Sequence, residues 1–81
     1  MTRVQRIPMD SSMISAVGYD ADEKTLYLEF VNTGYVYAYY DVPQEVFENL
    51  RKSRSAGSFV RNEILDFYTG FRVRQGRHFR W

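Results

Sequence analysis

The chain of 81 residues has no cysteine and one histidine, His78. Without thiols there is neither a disulfide framework nor a thiolate metal site, so packing alone must hold the domain together, and a reducing, cytosolic setting fits. One histidine and no cysteine nucleophile give no support for a Ser-His-Asp or Cys-His catalytic arrangement. Long apolar runs are missing too. No stretch approaches the roughly 18 residues that a membrane span needs, and the segment Met1 to Pro8 lacks the apolar centre of a signal peptide. These absences point away from an enzyme, a membrane protein and a secreted protein, and they imply no cofactor and no metal. What is present is globular: 44% apolar, 26% charged and 17% aromatic residues, in a length that holds one domain.

Charge is divided unevenly along the chain. In residues 1 to 50, Arg3, Arg6 and Lys24 stand against eight acids, for a balance of −5. In residues 51 to 81, eight cations (Arg51, Lys52, Arg54, Arg61, Arg72, Arg74, Arg77 and Arg80) stand against Glu63 and Asp66, for +6. The two halves give the net +1, and nine of the eleven cations are arginine. Arginine pairs with phosphate bidentately and stacks on bases, so this distribution favours a nucleic-acid or phosphate partner.

Residue patterns predict an antiparallel meander followed by helices. Ile14 to Tyr19 reads as a strand and Asp20 to Lys24 as a turn. Thr25 to Phe30 alternates, with Leu26, Leu28 and Phe30 on one face and Tyr27 and Glu29 on the other. Asn32-Thr33-Gly34 tolerates positive φ and leads into a third strand, Tyr35 to Tyr40. The period then changes: Pro43 opens a helix carrying Val46, Phe47 and Leu50 to about Lys52. A Ser- and Gly-rich break at 53–58 precedes a second helix expected from about Ser58 to Thr69, with Val60, Ile64, Phe67 and Tyr68 at helical spacing. The fold class is therefore α+β, a three-stranded meander covered on one face by two helices. A short strand near Phe71 to Arg74 would make the sheet four-stranded. The corresponding divisions are an N-terminal arm (1–8), a domain (9–69) and a basic aromatic tail (70–81).

Three groups of residues bear on binding. The first is Ser53-Arg54-Ser55-Ala56-Gly57-Ser58, where free helix N–H groups, the Ser55 and Ser58 hydroxyls and the Arg54 guanidinium suit an anion, with Arg51, Lys52 and Arg61 nearby in sequence. The plainer reading is that serine only caps the helix and Gly57 only turns the chain. The segment lacks the Walker spacing and its lysine, so nucleotide hydrolysis is not implied.

The second group is aromatic. If Val36 and Ala38 join Leu26, Leu28 and Phe30 under the helices, then Tyr35, Tyr37 and Tyr39 lie beside Tyr27 on an open sheet, a platform able to stack unpaired bases at roughly 1 to 3 kcal/mol each. The alternative is that these tyrosines are core. The third group is the tail, which interleaves Phe71, Phe79 and Trp81 with Arg72, Arg74, Arg77 and Arg80. It offers phosphate pairing and stacking, or else a solvated end that packs Phe71 and Val73 on the sheet edge. Asp20, Asp22 and Glu23 suggest a calcium loop only superficially. An EF-hand counted from Asp20 needs a ligand, a glycine and a glutamate where this chain has Lys24, Thr25 and Val31, so a solvated turn is the better reading.

Ser11-Ser12 with Ile14, Gly18-Tyr19-Asp20, Leu26 and Leu28, Gly34, Tyr37-Ala38-Tyr39, Val42-Pro43, and Ser55-Ala56-Gly57 followed by Ile64 and Tyr68 form an ordered series that resembles the KTSC domain. That is a small module found alone in bacteria and as a C-terminal appendage of some lysyl-tRNA synthetases. The likeness covers about residues 9 to 68 and leaves the tail outside. Arg61 and Leu65 stand where the family more often has Asn and a basic residue. Attachment to a tRNA-charging enzyme implies RNA as a partner. The expected function is thus non-catalytic binding of tRNA-like or single-stranded RNA. The rival is a protein-interaction module that uses the aromatic face or an open sheet edge.

Overall fold

The computed structural model describes residues 2–73 and 79–81. Nine elements follow in order: β1 (Thr2–Arg3), β2 (Ile7–Pro8), β3 (Ile14–Asp20), β4 (Thr25–Phe30), β5 (Val36–Tyr39), α1 (Gln44–Lys52), α2 (Ala56–Glu63), β6 (Gly70–Val73) and β7 (Phe79–Arg80). Strands β2-β3-β4-β5-β6 form one antiparallel sheet in that order, and β1 pairs with β7 in a separate parallel ribbon. The α+β class and the meander β3-β4-β5 are as expected. The sheet has five strands, not three or four. β6 is the strand expected in the tail, and β2, only Ile7 and Pro8, carries too few residues to show an alternation.

Local chemistry accounts for the turns. Between β3 and β4, the Asp20 carboxylate accepts the backbone N–H groups of Asp22 and Glu23 at 3.1 and 3.2 Å, and Lys24 adopts a φ of 51°. This is the solvated turn, closed locally by its own aspartate. Between β4 and β5, Gly34 sits at φ 73° and donates its N–H to the Phe30 carbonyl at 2.8 Å. Helix α1 starts after Pro43 and buries Phe47 and Leu50. The second helix begins two residues earlier than expected, because Ser55 is the cap: its hydroxyl accepts the Ser58 N–H at 3.2 Å. It also ends earlier, at Glu63, and residues 64–67 continue as turns with Phe67 exposed. The helical spacing of Phe67 therefore does not place it in the core.

Register decides the faces. Leu26 lies opposite Tyr39 and Leu28 opposite Tyr37, while Tyr27 lies opposite Ala38 and Glu29 opposite Val36. Directly opposed residues of antiparallel strands project to the same face. The helices accordingly cover Leu26, Leu28 and Tyr39, which pack with Ile14, Val17, Phe47, Leu50, Val60 and Ile64. Tyr19 stacks on Phe47 with ring centroids 5.1 Å apart, and its hydroxyl donates to the Val42 carbonyl, tying β3 to the start of α1. On the opposite face, Val4, Tyr27, Val36 and Ala38 form a second cluster, against which Val73 and Trp81 pack. Both faces are thus covered, one by helices and the other by the terminal segments.

Gly18 makes that second layer possible. A Cβ there would stand 2.6 Å from Trp81 Cζ3 and 2.7 Å from Val4 Cγ1, so the backbone itself is the packing surface.

Candidate nucleic-acid interface

The segment preceding β3 runs beside the first turn of α2, and the two enclose a polar cleft of about 390 Å³. Arg54, Ser55, Gly57, Ser58 and Arg61 line one side. Asp10, Ser11, Ser12 and Met13 line the other. The close approach depends on Gly57, where a Cβ would come within 3.2 Å of Met13 Cβ. Ser11 shapes the opposing wall by accepting the N–H groups of Met13 and Ile14 at 3.1 and 3.2 Å. Neither guanidinium is neutralised among the described residues: Arg61 reaches only the Met13 sulfur, at 3.9 Å, and Arg54 has no partner. Two cations, serine hydroxyls and the positive end of α2 converge there, and Asp10 at the rim is the one opposing charge. The arrangement suits a phosphate-sized anion.

The residues expected at this site, Arg54, Ser55, Gly57, Ser58 and Arg61, do come together. Ser12 and Met13 were missed as its other wall, and Ser11 too; Ser11-Ser12 in the ordered series was the available signal. Arg51 and Lys52, in the last turn of α1, are exposed. Arg51 is 3.5 Å from Glu48 and sits 5.6 Å from the Phe47 ring centroid, so part of its charge is already engaged.

The open tyrosine platform is corrected by the register. Tyr37 and Tyr39 share the helix-covered face with Leu28 and Leu26, whereas Tyr27 lies on the other face. Tyr27 and Tyr39 are 8% and 4% exposed, too buried to present ring faces to a strand of bases. Burial raises the pKa of both phenols, as desolvation opposes phenolate formation. Tyr37 is half-buried with its ring edge-on to Phe30, centroids 5.6 Å apart.

In the tail, Trp81 is a packing residue: its ring meets Tyr27 edge-on at 6.4 Å and its indole N–H donates to Glu29 at 3.0 Å. Arg72 lies in β6 with its guanidinium 3.6 Å from the Tyr35 ring centroid. Arg74 and Arg77 lie outside the described residues, and Arg80 is placed only by its backbone in β7. Among the described residues no three His, Cys, Asp or Glu side chains gather as a metal site, and no helix is long and apolar enough to cross a membrane.

The sequence signature of the KTSC domain matches residues 10–68, from the Asp10 wall of the cleft to Tyr68 beyond α2. The chain belongs to the KTSC domain family. A KTSC domain protein from Yersinia pestis, solved by crystallography, superposes with a TM-score of 0.82 at 31% identity, covering 86% of this chain and 97% of that one. A protein of Tsukamurella paurometabola is 49% identical over 53 residues, which span 65% of this chain and 78% of the relative. An uncharacterized protein of Stutzerimonas stutzeri is 35% identical over 54 residues, 67% of this chain and 75% of its own. The KTSC match contains both walls of the cleft but stops short of β6 and Trp81.

Proposed function

We propose that this KTSC domain is a cytoplasmic, non-catalytic RNA-binding module that takes single-stranded or tRNA-like ligands by their phosphates. The observation that carries this reading is the cleft between residues 10–13 and the start of α2, where Arg54 and Arg61 stand unneutralised among serine hydroxyls and helix N–H groups. The exposed Arg51 and Lys52 at the end of α1 extend the positive surface toward the same turn of chain. Cations that have no carboxylate partner release counterions when they meet a phosphate backbone, which gives affinity without sequence readout.

The test is fluorescence anisotropy with single-stranded RNA and tRNA across a salt series, comparing the parent chain with Arg54→Ala/Arg61→Ala. Each phosphate contact contributes about −0.7 to the slope of log K against log salt for a single strand. Two lost contacts should therefore flatten the slope by about 1.4 and weaken binding to both ligands. Both positions are exposed, so thermal stability should stay within about 0.5 kcal/mol. Binding with an unchanged slope in the double variant would move the site elsewhere, and no RNA binding by the parent chain would favour the protein-interaction reading.

A further inference from the structure

Past the end of α2, a second hollow of about 380 Å³, open to solvent, is lined by Phe30, Tyr35, Tyr37 and Tyr39, with Leu65 at its edge. Its geometry differs from that of an open sheet platform. Tyr39 is buried and forms the floor, Phe30 and Tyr37 meet at 88°, and Tyr35 and Leu65, 40% and 42% exposed, form the lips. Asn32 and Thr33 also line it and bring polar groups among the rings. The Thr33 hydroxyl accepts the Tyr35 N–H at 3.1 Å, which leaves its own hydrogen free to donate. Arg72 stacks on Tyr35 at 3.6 Å and forms no ion pair among the described residues, so an unneutralised cation stands beside the opening.

Ring walls favour a flat π-system, the Asn32 amide and Thr33 hydroxyl can bond the polar edge of a heterocycle, and Arg72 calls for a nearby anion. An apolar peptide side chain would use only the first of these. We infer that the cavity holds an unpaired nucleobase of a bound RNA strand, with Arg72 on that nucleotide's phosphate. This rests on the RNA reading and adds a base-stacking subsite to it. The two sites flank one helix: the phosphate cleft lies at Ala56 to Ser58 and Leu65 lies just beyond Glu63, so roughly 12 Å of α2 separates them. A single strand running along α2 engages both. The function of the tyrosines is thereby moved from the sheet's outer face to a slot on its helix-bearing face.

The experiment uses the full chain with two probes of equal length, an oligouridylate and an abasic ribose-phosphate strand. The abasic strand should bind about 5- to 150-fold more weakly, the range expected for one lost stacking contact. Tyr35→Ala, at an exposed lip, should weaken oligouridylate binding in the same range without changing abasic binding, and Tyr35→Phe should keep the parent affinity. Equal affinity for the two strands, or a Tyr35→Ala chain that binds oligouridylate like its parent, overturns the subsite and leaves the phosphate reading standing. Amide shifts at Asn32 to Tyr37 produced by an apolar peptide and not by oligouridylate also overturn it. If neither strand binds the parent, both readings fall together.

Discussion

Trp81 donates its indole N–H to the Glu29 carboxylate at 3.0 Å, on the face of the sheet opposite the helices. The same carboxylate receives Arg6 Nη2 at 2.7 Å and the Ser15 hydroxyl at 2.6 Å. One side chain in β4 therefore holds an N-terminal and a C-terminal segment against the sheet. The Arg6 hydrogen bond, chief among these contacts, lowers the Glu29 pKa from its ordinary value, and partial burial opposes it.

A carboxyl whose pKa is lower folded than unfolded stabilises the fold fully above the unfolded value, about 4.3 for glutamate, and this contribution disappears as pH falls through the folded value. The domain should lose stability as the pH falls below about 4.3 and through the lower folded value. Glu29→Gln should cost about 1 to 3 kcal/mol at neutral pH, from weakened bonds to a charged group, and should flatten the acid limb. Thermal melts followed by circular dichroism at a series of pH values check both. An equally steep acid limb in the variant would assign the titration to another carboxyl.

Gly18→Ala tests the layer built on that face. The added methyl meets the Trp81 ring and Val4 where the backbone now provides the contact surface. Overpacking of this kind costs about 1 to 3 kcal/mol. Because Trp81 is the chain's one tryptophan, its emission should shift to longer wavelength as the ring lifts into water. An unchanged spectrum with unchanged stability would mean that the Trp81 ring does not rest on Gly18.

The contrast between Leu26 and Tyr39 shows where reading the sequence stops. Alternation within Thr25 to Phe30 and within Tyr35 to Tyr40 correctly separates the two faces of each strand, but the phase between strands belongs to the hairpin register, and a shift of one residue exchanges every side chain. Tyr39 opposite Leu26 puts the tyrosines with the leucines, and the platform reading needed the reverse. Both faces of β4 and β5 are buried, so neither strand has the polar face that would have fixed the phase. The half-cleft at Arg54 to Ser58 was legible because a serine cap, a glycine and an arginine are contiguous there. Its other wall comes from residues some forty positions away in sequence, a juxtaposition that only the tertiary fold supplies. β1 and β7, two residues each, carry no periodicity at all.

Tyr39 separates what a buried ring contributes to the core from what its hydroxyl contributes. The ring is 4% exposed, packs in the helix-side core, and lies so close to Gly70 of β6 that a Cβ there would collide with it. Tyr39→Ala should remove about 3 to 5 kcal/mol, a large share of what a domain of this size has, and should leave the chain largely unfolded near physiological temperature. Tyr39→Phe keeps the ring, and because the Tyr39 hydroxyl bonds no other group among the described residues, losing it orphans no partner. Its stability should stay within about 1 kcal/mol of the parent. Urea unfolding of the two variants beside Tyr35→Ala, whose ring is 40% exposed and should melt like the parent, separates the roles along one strand and its entry. A folded, fully stable Tyr39→Ala chain would show that the ring contributes little to the core, and the buried floor assigned to the aromatic cavity would have to be given up with it.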